Sequence, residues 1–240
     1  MRARIFFCIP DPGGPNWLNN DGWRTGNASD CCSWFGISCD AAGEPERIQL
    51  VRNGLTGWFS TEFSYIASLR FLDLSSNSLN GIMSSDFGAG WTNFGFLQLT
   101  DNQIKGPIPP GWGKAWTNVV RVDLRNNKFV TALPADFGQS WRNAVYVLIS
   151  GNQFGGALPS QLGASWSHVQ AFFASDCGFT GAIPASFAGM SSLASLDLSQ
   201  NALTSTQLTK APSAGLQCDL SGNAFACPIP SWIQACKGTC

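Results

Sequence analysis

The feature that most constrains this chain is a repeat. Four segments, Leu72-Asp-Leu-Ser-Ser-Asn77, Leu97-Gln-Leu-Thr-Asp-Asn102, Val122-Asp-Leu-Arg-Asn-Asn127 and Val147-Leu-Ile-Ser-Gly-Asn152, share the pattern apolar, any, apolar, any, any, Asn, with asparagines 25 residues apart. Extended both ways, the same position falls at Asn53, Asn77, Asn102, Asn127, Asn152, Cys177, Asn201 and Asn223, at intervals of 24, 25, 25, 25, 25, 24 and 22 residues. A unit this short cannot bury its own apolar face, so the units must stack and cover one another.

Each part of the unit has a physical role. Apolar residues at period two describe a short strand whose alternate side chains, such as Leu97 and Leu99, point inward. Strands that recur in the same direction lie parallel, and eight of them at ~4.8 Å would stack over roughly 34 Å. The asparagine follows where the chain leaves the strand, and its amide there satisfies backbone groups that turn into the interior. Next come an apolar residue, glycine and proline, as in Ile104-Lys-Gly106-Pro-Ile108-Pro109, Phe154-Gly-Gly156-Ala-Leu158-Pro159 and Phe179-Thr-Gly181-Ala-Ile183-Pro184. Glycine permits a tight reversal and proline holds an extended path, so the return wall is expected to be extended and not helical. Trp91, Trp116, Trp141 and Trp166 recur eleven residues before the ladder position. That regularity predicts a buried indole stack along the outer wall.

Cysteine placement indicates how the ends are closed. Cys8, Cys31, Cys32 and Cys39 crowd the start, Cys218, Cys227, Cys236 and Cys240 crowd the finish, and only Cys177 lies between. Four at each end read as two disulfide-stapled caps, formed in an oxidising compartment, over the apolar faces and strand edges of the first and last coils. Zinc is the rival reading, but there is no CxxC pair and His168 is the only histidine. The expected division is a cap over residues 1–41, repeats over 42–225 and a second cap over 226–240. For the C-terminal cysteines three connectivities stay open. Cys177 occupies a ladder position and is expected to be a buried, inert thiol. Asn27-Ala28-Ser29 is a glycosylation sequon that fits secretion.

Only 12% of residues are charged and the formal charge is −1. With no Lys/Arg stripe to neutralise phosphates, nucleic acid is not an expected partner. No run approaches the ~18 apolar residues of a membrane helix. The stretch from Met1 to Pro10 begins like a signal peptide, but its apolar part is shorter than the ~7 to 15 residues such a segment uses, and the N-terminus is expected to be truncated or mispredicted. There is no nucleophile elbow, metalloprotease motif, phosphate loop or dinucleotide fingerprint, and carboxylates are too few for a glycosidase pair. No catalytic residue, cofactor or metal is assigned. His168 has no Ser/Asp constellation and reads as a surface residue.

Taken together, the unit L-x-x-L-x-x-L-x-L-x-x-N-x-L-x-G-x-I-P, the opening Gly13-Gly14-Pro-Asn16-Trp17 and the run Cys31-Cys32-Ser-Trp34-Phe-Gly36-Ile-Ser-Cys39-Asp40 closely resemble the plant-type extracellular leucine-rich repeat and its N-terminal cap. That form is known from polygalacturonase-inhibiting proteins, receptor-kinase ectodomains and protist surface antigens. The match spans about residues 13 to 240. In two respects it departs: little before residue 13 could form the cap helix, and tryptophan in four central repeats replaces the commoner leucine, as in the protist variants. The resemblance implies an α/β-type, mostly β, right-handed solenoid with a concave parallel sheet, and it suggests pairing Cys8 with Cys31 and Cys32 with Cys39.

Function in a solenoid lies on its exposed strand positions, which stacking aligns into columns. One column reads Arg47, Phe71, Phe96, Arg121, Tyr146, Ala171, Ser195, Gln217. The next reads Gln49, Asp73, Gln98, Asp123, Leu148, Phe173, Asp197, Asp219, and the third Val51, Ser75, Thr100, Arg125, Ser150, Ser175, Ser199, Ser221. Aromatics and arginine carry most interface energy, so the expected contact patch is Phe71, Asp73, Phe96, Gln98, Arg121, Asp123, Arg125, Tyr146, Leu148 and Phe173. The leading expectation is a secreted or surface-attached binding module whose partner is a protein or glycan. One alternative is a structural subunit of a cell-surface coat or filament that contacts copies of itself. Two others, borrowed from the resemblance, are an inhibitor of a cell-wall-degrading enzyme and a receptor ectodomain.

Overall fold

In a computed structural model, residues 17–23, 28–58 and 61–238 are described. Every predicted strand core forms a strand of one sheet. Pro45–Gln49, Phe71–Asp73, Phe96–Gln98, Arg121–Asp123, Tyr146–Leu148, Ala171–Phe173, Ser195–Asp197 and Gln217–Asp219 follow one another in space as in sequence, all parallel. Their register is that of the repeat: Phe71 sits beside Phe96, Phe96 beside Arg121 and Arg121 beside Tyr146. The inward residues, among them Leu72, Leu97, Val122, Val147 and Phe172, have no exposed surface.

The ladder asparagines turn inward as expected. Asn102, Asn127, Asn152 and Asn201 are buried. Asn127 shows the pattern: its Nδ2 donates to Leu99 O (2.9 Å) in the coil before and to Leu124 O (3.2 Å) in its own, while its Oδ1 accepts from Ile104 N–H (3.0 Å). One side chain therefore ties two coils at three buried backbone groups, each costly to leave without a partner. The residue just before each ladder position has positive φ: Arg52, Ser76, Asp101, Asn126, Gly151, Asp176, Gln200 and Gly222, between 50° and 70°. This left-handed residue breaks the strand and swings the next side chain into the core.

The return wall begins as extended chain. Thr56–Trp58, Ser78–Ile82, Gln103–Gly106 and Lys128–Phe129 form a second parallel sheet, and Thr180–Ile183 pairs with Ala202–Thr206 in a third. Unlike the expected wall without helix, short helical turns follow the extended part, 3-10 at Thr61–Tyr65 and Ala185–Gly189 and α at Trp112–Ala115. Behind them stand the indoles, which the core reading places correctly. Trp116, Trp141 and Trp166 stack at 6.3 Å with planes within 7°. All four are buried, and each Nε1–H donates to a carbonyl of the preceding coil, for example Trp166 to Gly138 O at 2.9 Å. The stack thus joins coils by area and by hydrogen bond at once.

Both ends of the sheet are covered. Ile37–Cys39 pairs antiparallel with the first parallel strand, over a cluster of Trp17, Trp23 and Trp34, and Cys32 is bonded to Cys39 with Cα atoms 5.6 Å apart. The ladder runs into this cap, since Asn53 Nδ2 donates to Asn19 O at 2.7 Å. At the far end Lys237 bridges the last strand, Trp232 and Ile233 are buried, and Cys218 is bonded to Cys236. That selects one of the three open connectivities, and Cys227 is disulfide-bonded as well. Cys8, Cys240 and the sequon residue Asn27 lie outside the described residues.

Candidate binding face

The exposed strand positions form one ribbon. Arg47, Phe71, Phe96, Arg121 and Tyr146 occupy one row on five consecutive strands. The Arg47 guanidinium lies 3.6 Å from the centroid of the Phe71 ring, Phe71 and Phe96 are 5.5 Å apart, and Arg121 lies 5.4 Å from the Tyr146 ring. Phe96 and Tyr146 each expose more than a third of their surface, unusual for large apolar groups. Beside them, Ser38, Glu46, Arg47, Arg70, Phe71 and Phe96 line an open depression of about 460 Å³, whose rim carries an Arg70–Glu46 ion pair at 3.2 Å.

The neighbouring row is less exposed than the alternation rule implies. Asp73, Asp123 and Leu148, expected on the contact surface, are buried. For the two aspartates the cause is the length of the flanking side chains, which fold over their shorter neighbours. Gln98 Nε2 reaches back to Asp73 Oδ2 at 2.8 Å. Asp123 takes Arg121 Nη2 at 2.9 Å and Arg125 Nη2 at 2.7 Å on one oxygen and Arg125 Nε at 2.9 Å on the other. This hydrogen bond with Asp123 raises the Arg125 pKa, against desolvation. Two guanidiniums on one carboxylate leave one net positive charge, and Asp123 fixes where both point. Phe71, Gln98, Arg121, Arg125 and Phe173 are half-buried.

From Ser150 onward the third column is all serine, and the face changes character. Ser150 and Ser175 hydroxyls lie 3.0 Å apart, and Asp197 and Asp219 each accept from the serine two residues on. The Ser221 hydroxyl, and to a lesser degree Lys237, holds the Asp219 carboxyl below the usual carboxylate range. These carboxylates are spent on their own turns. His168 sits away from the ribbon, against Arg142 O at 2.9 Å, and Cys177 is sealed in the core, where burial pushes its thiol up to about 12.

Comparison with known proteins places this geometry. Residues 68–89 match the Leucine Rich Repeat family. Receptor-like protein 33 of Arabidopsis thaliana is 42% identical over 90 residues, 34% of this chain and 10% of that protein. The ectodomain of the Arabidopsis receptor kinase GASSHO1/SCHENGEN3, solved with CASPARIAN STRIP INTEGRITY FACTOR 2, superposes with a TM-score of 0.71 at 24% identity, over 98% of this chain and 31% of that one. Pollen Receptor Kinase 3 superposes with a TM-score of 0.63 at 25% identity, over 95% of this chain and 96% of that one. The chain carries a leucine-rich repeat and folds as leucine-rich-repeat ectodomains do. It spans a tenth or less of the first curated relatives it matches. What the sequence missed on this leucine-rich-repeat face is the covering of Asp73, Asp123 and Leu148. The one available signal was the alternation Arg121-x-Asp123-x-Arg125, which puts opposite charges two apart on one side of a strand.

Proposed function

We propose that the chain is a non-catalytic extracellular binding module that takes up a protein or glycan along its concave strand face over repeats two to six. The observation that carries this reading is the row Phe71, Phe96, Arg121, Tyr146, half-buried or exposed, in strand register and flanked by the cation held over Asp123. Aromatic and arginine side chains on a rigid scaffold are the composition of an energetic contact centre, and no core function accounts for leaving Phe96 and Tyr146 in water. Solved neighbours with this fold support the reading: the HAESA ectodomain was crystallised with the peptide hormone IDA and the co-receptor SERK1, at 23% identity and a TM-score of 0.68. The disulfides support an oxidising compartment.

The test is a screen of the chain against peptide and glycan arrays, repeated with Phe96→Ala, Arg121→Ala and Tyr146→Ala combined. Loss of about tenfold or more in affinity, with an unchanged melting temperature, is expected for a contact centre. A ligand bound equally well by the triple variant removes the ribbon as its site.

A further inference from the structure

The outer wall carries a second surface, on the opposite side of the coil turn from the ribbon. On the first four strands of that wall the outward side chains form two rows. Trp58, Asn80 and Gln103 are register neighbours, and one step further along the strands so are Ile82, Lys105 and Lys128. Trp58 is 72% exposed, more than any other large apolar side chain described in the repeats, and Ile82 is 57% exposed. Between the rows the inward positions are buried, and Gly106 is without a side chain where Ile82 lies across it. No carboxylate occurs on these four strands, whose only charges are Lys105 and Lys128, and neither lysine is ion-paired among the described residues.

An indole standing in water, a row of neutral amides beside it and two ammonium groups without a carboxylate partner, one of which, Lys128 Nζ, donates to Gln103 Oε1 at 3.3 Å, is a specific combination. The indole face stacks on the C–H face of a pyranose ring, the amides of Asn80 and Gln103 donate to and accept from hydroxyls, and the ammonium groups meet carboxylates. Strands repeat at about 4.8 Å, close to the length of one pyranose unit, so successive sugars of an extended chain would meet successive strands. A bilayer would ask for a wider apolar area than two side chains, and it would leave the amide row desolvated. We infer that this outer wall is a second binding site, independent of the strand ribbon, for an acidic polysaccharide, with Trp58 as the stacking platform and Lys105 and Lys128 as the carboxylate contacts.

The experiment measures binding of the whole chain to alginate, to carboxyl-reduced alginate and to vesicles of phosphatidylserine and phosphatidylcholine. Three variants are compared: Trp58→Ala, Lys105→Gln with Lys128→Gln, and the ribbon variant Phe96→Ala/Arg121→Ala/Tyr146→Ala. Trp58→Ala is expected to weaken alginate binding by about tenfold, as loss of a stacking anchor does. The lysine pair should carry the salt dependence, so that the double variant binds at low salt as the native chain does at about 0.5 M. Carboxyl-reduced alginate should bind at least severalfold less well, and the ribbon variant should bind alginate normally. The inference is overturned by absent alginate binding, by equal binding of the reduced polymer, by wall variants that bind as the native chain does, or by binding to vesicles alone. Because all the wall substitutions sit on exposed side chains, an unchanged melting temperature separates contact from folding.

Discussion

At Asn152 and at Cys177 the chain makes the same turn with different atoms. Gly151 and Asp176 both adopt positive φ, and both following side chains enter the core. The Asn152 amide spans two coils, donating to Leu124 O and Ile149 O and accepting from Phe129 N–H at 3.1 Å. The Cys177 thiol reaches only Ile149 O and Ser175 O, both at 3.3 Å, and it offers no acceptor in place of the amide oxygen. Phe154 N–H, which stands where Phe129 N–H does one coil earlier, has no hydrogen bond among the described residues. At the same coil the outer wall loses its strand: Gly155 and Gly156 both take positive φ, Gly155 N–H turns to Cys177 O at 2.9 Å, and only the bridges at Gln153 and Ala157 link the second sheet to the third. The comparison teaches that the ladder amide does more than close its own turn. It also holds the preceding coil's outer strand in register.

The largest effect expected is on the element both coils share. Trp141→Ala opens a cavity in the indole stack and should cost ~3–5 kcal/mol in denaturant unfolding. A cost below about 1 kcal/mol would mean that the stack only fills space the coil could close. Next, Asn152→Ala should cost ~2–4 kcal/mol, because Phe129 N–H and two carbonyls lose their partner in the core, whereas Cys177→Ala should cost less than half as much. Equal losses at the two positions would mean that the thiol holds the turn as well as the amide does.

Cys177→Asn runs the comparison in reverse. Supplying an acceptor for Phe154 N–H should raise stability by ~1 kcal/mol, and hydrogen exchange at Phe154 should slow. A destabilised variant would show that the Gly155–Gly156 path has no room for the amide. The same substitution should alter the response to alkali. Burial holds the folded thiol up to about 12 against its ordinary value of 9.0, so the folded state keeps a proton that the unfolded chain releases. The thiol's contribution is complete below pH 9.0 and is lost as pH rises from there towards about 12. Melting temperatures across that range should fall more steeply for the native chain than for Cys177→Asn, and parallel curves would exclude the thiol as the cause. Gly151→Ala, which places a Cβ at positive φ against Asn126 Oδ1, should cost ~1–2 kcal/mol. No measurable loss there would mean that the turn tolerates any residue, as the Asp at 176 suggests.

Much of the fold was legible because repetition averages out local ambiguity. The x-Leu-x-Leu cores, the asparagines and the tryptophans each recur at one spacing, and only a stacked coil satisfies all three periods at once. The binding ribbon was half legible. Period two placed Phe71, Phe96, Arg121 and Tyr146 on the open face, yet it could not foresee that Arg121, Arg125 and Gln98 would fold over Asp123 and Asp73. Side-chain reach across strands is a property of the assembled sheet and not of any one strand.

The sequence by itself determined the repeat length, the parallel order of strands, the inward ladder and the buried indoles, since each follows from which positions are apolar and how often they return. Tertiary structure alone decided that the position before each ladder residue turns left-handed even where Arg52, Ser76 and Gln200 carry no local preference for it. It also decided that Cys218 meets Cys236, and that the outer sheet parts at Gly155 and Gly156. The physical reason is common to all three. A period constrains what every coil must bury, whereas the path between coils is chosen by whichever neighbour supplies the missing hydrogen bond or leaves the space.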